Sequence, residues 1–114
     1  MNKLILVAAL AVSFPAVAAF THKMSSNTVV YTAVTENKAE AFETGIAALQ
    51  ELKQLRGQRA YQKLNVFDDK MIIRSLRIDS GRVFVDEFAD ANGMIKYQAK
   101  LKLIYSYQEV ASDD

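Results

Sequence analysis

The chain has 114 residues, with 14 basic, 13 acidic, one histidine and no cysteine. That composition excludes thiol catalysis, a disulfide frame and a lipid anchor on cysteine, and with a single histidine it argues against a zinc site. A near-neutral charge also argues against a sequence-independent nucleic-acid binder, whose affinity rests on net neutralisation of phosphates.

The chain opens on "MNKLILVAALAVSFPAVAA". Lys3 precedes an apolar run from Leu4 to Val12, and Pro15 and small residues follow, which is the three-part layout of a secretory signal peptide. Cleavage fits after Ala18 or Ala19, with Ala19 preferred. The apolar run is far shorter than the ~20 residues that span a hydrocarbon core. The expected product has no stable membrane span and is periplasmic or secreted. Removing residues 1–19 leaves 95 residues and takes Lys3 away, so 13 basic side chains face 13 acidic ones. That length suits one domain, expected over 28–110 between a flexible leader, 20–27, and a disordered tail, 111–114. Without disulfides, such a domain depends on packing or on association, and a homodimer is one option.

"TVVYTAV", Thr28 to Val34, is rich in β-branched and aromatic residues and reads as the first strand. The next segment has helical period: Phe42, Ile46, Leu49 and Leu52 recur on one stripe, with Ala41, Gly45 and Ala48 on its flank. Thr35 or Asn37 is the candidate N-cap, and Asn37 would place Glu40 in a capping-box position. Lys53 and Arg56 suit the negative end of the helix dipole, and Gly57 is placed to end the helix. Gly45 costs about 1 kcal/mol relative to alanine in mid-helix. Its packing explanation is a small-residue groove that lets the helix lie close on a sheet. Tyr61 and Leu64 suggest a short second helix within 58–66. From Met71 the period returns to two. "MIIRSLRID" ends at Asp79-Ser80-Gly81, "RVFVDEF" follows, and Asn92-Gly93 leads into "IKYQAKLKLIYSYQ". Both glycine dipeptides are hairpin signals. The expected fold class is therefore α+β: one long helix packed on an antiparallel sheet of about four strands, ordered as strand, helix, short helix and three-stranded meander.

In the last strand Ile95, Tyr97, Leu101, Leu103, Tyr105 and Tyr107 alternate with Lys96, Gln98, Lys100, Lys102 and Ile104. The first column is expected to face the helix. The register of the last hairpin decides whether Val83 and Val85 or Phe84 and Phe88 join it, and the remaining pair is left on the open face. The candidate interaction face is Phe84, Phe88, Lys96, Lys100 and Lys102.

No catalytic, metal or cofactor motif is found. His22 stands in the expected leader, and Asp68, Asp69, Asp79, Asp86, Glu87 and Asp90 stand near strand ends, where solvated acids belong. Asp90-Ala91-Asn92-Gly93 fits a calcium loop at neither end, since Phe88 and Ala99 occupy the first and twelfth ligand positions.

An export signal, "ENKAEAFETGIAALQELK", "VFVDEFADANGMIKYQAKL" and "LIYSYQ" together resemble a family of small exported marine gammaproteobacterial proteins with a domain of unknown function. The resemblance covers most of Val29 to Gln108 and implies export and an α+β fold, with no catalytic residue carried over. A weaker resemblance is to small enterobacterial envelope stress proteins. Their lysine-alanine-aspartate helix passage does not match the form found here, so their roles are not carried over. The leading expectation is an exported non-enzymatic module that binds itself or another envelope protein through the open sheet face. The alternative is a carrier holding a small amphipathic ligand between helix and sheet, beside Gly45 and the tyrosines. An enzyme using two carboxylates ranks third.

Overall fold

A computed structural model describes residues 21–111. In chain order these form β1 (Thr21–Thr35), α1 (Lys38–Leu52), α2 (Gln58–Leu64), β2 (Met71–Ala89) and β3 (Ile95–Val110). The expected signal peptide and residues 112–114 of the expected tail lie outside the described residues. The strands make one antiparallel sheet in the order β1-β3-β2, so the last strand is the middle one.

This corrects the expected architecture of one long helix on about four strands. Strand dominates the described chain, the sheet has three strands, and the two helices run for 15 and 7 residues. Three strands suffice because the segments on either side of Gly81 are one continuous strand, β2. Gly81 supplies space, not a turn: a Cβ there would lie 2.7 Å from Leu49 Cδ1 and 2.8 Å from Leu103 Cδ2. The strand continues past it with a register shift between Ile78 and Ser80, a bulge that leaves Asp79 out of the ladder.

A second shift separates Ile72 from Arg77. There Ser75 Oγ accepts the Gln108 N–H at 2.7 Å and donates to the Ile72 carbonyl at 2.6 Å. The detour turns Leu76 wholly into the core, and its carbonyl accepts the Gly57 N–H at 2.9 Å. Gly57 therefore ties the chain to the outer side of β2, while α1 stops earlier, at Leu52. Arg56 sits beyond the helix and gives its Nη1 to the carbonyls of Lys53 and Leu55.

The start of α1 follows the sequence. Asn37 is the N-cap, and its Oδ1 accepts the Glu40 N–H at 2.8 Å. The turn at the other end of the sheet is also as expected. Asp90 Oδ1 accepts from the N–H groups of Asn92 and Met94, and Gly93 has φ 81°. β1, by contrast, begins at Thr21 instead of Thr28. Residues 21–27, expected as a flexible leader, pair with β3 from Val110 to Ile104. Residues 22–27 stay exposed on both faces, so their polar composition hides a strand held by its ladder.

The core lies between β3 and the helices. Leu101 and Leu103 are fully buried, and Tyr105 and Tyr107 nearly so, with Leu52, Ala60, Leu64, Leu76 and Ile78 around them. Each such leucine contributes about 1.5–3 kcal/mol. Ile95, at the strand's start, is exposed. The buried side of α1 differs from the expected stripe: Ala41, Gly45 and Leu52 are buried, whereas Phe42 and Ile46 are 36% and 48% exposed. The small residues face the sheet because close approach is what they permit. A Cβ on Gly45 would lie 2.6 Å from Val83 Cγ1 and 2.8 Å from Ala99 Cβ.

Candidate functional site

Directly opposed residues of an antiparallel pair share a face, so the ladder assigns a face to every paired side chain, leaving out those at the register shifts of β1 (between Tyr31 and Val34) and β2. Val83 opposes Leu101 and Val85 opposes Ala99, on the helix side. Phe84 opposes Lys100 and Phe88 opposes Lys96, on the open side. All five residues of the expected interaction face thus stand together on the surface the helices leave uncovered. β1 adds Val29 and Tyr31 opposite Lys102 and Lys100, and Ile104 completes the patch. Val29, Tyr31 and Ile104 are 43%, 57% and 47% exposed.

The cations on this face are unequally occupied. Lys96 Nζ lies 2.9 Å from Glu36 Oε1, and their hydrogen bond holds the Glu36 carboxyl below its ordinary range while raising Lys96. Lys100 approaches Asp86 at 3.7 Å. Lys102 lies over the Phe84 ring, 5.1 Å from its centroid, in a cation–π contact. Arg82 stands directly opposite Lys102. Like charges so placed are destabilising unless an anion lies between them. A groove of about 630 Å³ opens there, lined by Asn27, Val29, Ser80, Arg82, Lys102 and Ile104 among others. It can hold an acidic group against two cations with an apolar group beside it.

Arg82, Val29 and Tyr31 were missed by sequence reasoning. The available signal was the run Val29-Val30-Tyr31, which is apolar at both parities and so must leave an apolar side chain on each face.

A second polar cluster lies at the far end of the sheet. Tyr107 donates its hydroxyl to Asp68 Oδ2 at 2.7 Å, and Asp68 Oδ1 accepts the Lys70 N–H at 2.9 Å. The carboxylate that accepts the Tyr107 proton pushes that phenol well above its ordinary value. The neighbouring Glu109 carboxyl, with the Tyr107 hydroxyl and the Lys70 N–H, holds Asp68 below its ordinary range, and Glu109 is in turn raised by Asp68. His22, expected in a leader, opposes Glu109 in the ladder. This cluster pins the chain before β2 to the end of β3. Among the described residues, no group of three or more metal-ligating side chains gathers.

At Gly45 the contact of α1 with the sheet is closed, and the 630 Å³ groove lies on the opposite face. Among the described residues, no helix is long and apolar enough to cross a membrane.

Fold and site together define a small, sheet-dominated module with two helices on one face and an uncovered basic and apolar surface on the other. Residues 1–112 match the family described as a domain of unknown function, DUF8398, and the chain belongs to that family. No curated protein and no solved structure matches the chain.

Proposed function

We propose that the protein is an exported, non-enzymatic binding module of the bacterial envelope, of a kind found in marine gammaproteobacteria, and that its open sheet face docks another envelope protein. The observation that carries this reading is the opposition of Arg82 and Lys102 on an uncovered surface beside Val29, Ile104 and Phe84. A cross-strand pair of like charges costs stability, and apolar side chains in water forgo the gain of burial. A partner carrying acidic groups next to apolar ones relieves both. Its charges would fix orientation and its apolar groups would supply most of the affinity.

The test is site-specific photo-crosslinking in the native host, with the reactive residue at Ile104 on the open face or at Glu43 on the exposed side of α1. The expected result is one discrete heteroadduct from position 104, none from position 43, and loss of the adduct with Arg82→Glu plus Lys102→Glu. Equal labelling at both positions, or an adduct indifferent to the two charge reversals, would rule the reading out.

A further inference from the structure

The two outer edges of the sheet are built differently. β2 is shielded: Gly57 donates to the Leu76 carbonyl at 2.9 Å, Arg56 bridges to Arg77, and the strand carries Arg74, Asp79, Asp86 and Glu87. Charged side chains and covering segments are the ordinary means by which an edge avoids pairing with another chain. β1 has neither device along most of its length. From Met24 to Thr35 it contains no charged residue and no proline, and among the described residues its outer edge joins no ladder.

We propose that the outer edge of β1 pairs antiparallel with β1 of a second copy, joining two three-stranded sheets into one of six. The occupant is argued from charge. The uncharged run is bounded by Lys23 at one end and Glu36 at the other, and the Glu36 side chain, although it accepts from Lys96 at 2.9 Å, is 78% exposed and open to a second cation. Antiparallel self-pairing centred on that run, at Val29 or Val30, brings Lys23 of each copy beside Glu36 of the other and leaves no like charges near the two-fold axis. It also sets Val29 and Tyr31 of one copy among the same residues of its mate, giving cross-strand apolar pairs to side chains otherwise in water. The contact is isologous and closes on itself, so it stops at a dimer. The open faces stay uncovered and become continuous. The inference concerns an edge, and it stands or falls independently of what docks on the face.

Sedimentation equilibrium of the natively processed protein tests it, with charge variants and single cysteines in a chain that has none of its own. A dimer is expected. Lys23→Glu weakens it on the order of tenfold by turning two symmetric attractions into repulsions, and adding Glu36→Lys restores it once Lys96→Gln removes the like charge beside position 36. Val29→Cys is joined to its mate by a short bismaleimide, while Ser25→Cys, away from the axis, is not. Circular dichroism confirms that each variant is folded. A protein that stays monomeric at millimolar concentration overturns the proposal. So does a dimer that ignores Lys23 and Glu36, or one that cross-links at Ser25 instead of Val29.

Discussion

Gly45 decides how near α1 comes to the sheet, and it does so against helix propensity. Gly45→Ala gains about 1 kcal/mol of propensity. The new methyl group meets Val83 Cγ1 and Ala99 Cβ, neither of which sits at the end of a flexible chain. Overpacking of this kind costs about 1–3 kcal/mol, so a net loss of stability is expected by urea denaturation, with partial recovery on adding Val83→Ala. The role of Gly45 was legible in the sequence because a mid-helix glycine needs a reason. That of Gly81 was not, since Asp-Ser-Gly serves a turn or a close approach equally well, and only Leu49 arriving from α1 decides between them. Glu109 gives a second residue-level test. Its carboxyl is raised in the folded state by the hydrogen bond to Asp68. A raised acid favours folding fully below its unfolded value, about 4, and that contribution is lost as pH rises through the higher folded value. Glu109→Gln keeps a donor for Asp68 without the titration. The variant's melting temperature should therefore gain on the native protein's as pH rises above the unfolded value, and a difference that stays constant with pH would refute the coupling of Glu109 to Asp68.

The elements differ in how local their causes are. The beginning of α1 rests on Asn37 and Glu40, three positions apart, and could be read directly. Asn37→Ala should cost about 1 kcal/mol, seen as a lower urea midpoint with an unchanged slope. Its end could not be read, because Gly57 is engaged with Leu76, a partner distant in sequence, and the turn signal it presents is used elsewhere. The same holds for β1 and β2. Residues 22–27 are mostly polar and, among the described residues, exposed on both faces, a pattern that resembles an unstructured leader until β3 is placed alongside. The two bulges of β2 break the period-two alternation into pieces that look like separate strands. The tyrosine column of β3 was legible, since an alternating strand with a matching helix nearby has few other places to put its apolar side. The membership of the open face was legible only up to the hairpin register, which the five-residue turn at Asp90–Met94 fixes.

For the molecule as a whole, β3 holds the structure together, pairing on both sides and carrying the largest buried side chains. Leu101→Ala should cost about 2–5 kcal/mol, enough to unfold a domain whose total stability falls in the usual range of roughly 5–15 kcal/mol if that total is low. Hydrogen exchange offers a finer map. Amides of Leu101–Tyr105 should exchange only by global opening, and those directed away from β3 along β1 should exchange fast in dilute protein. Concentrating the sample should slow the β1 set alone. Uniform protection across the three strands would contradict this ranking.

The order of synthesis has a bearing on all of this. β1 and β2 share no ladder, and the strand that marries them follows both in the chain. Until residues 95–110 emerge, the nascent polypeptide has two helices and two orphan ribbons with nothing to zip onto. A product cut short before Ile95 is therefore expected to lack this sheet, which closes only once β3 is present.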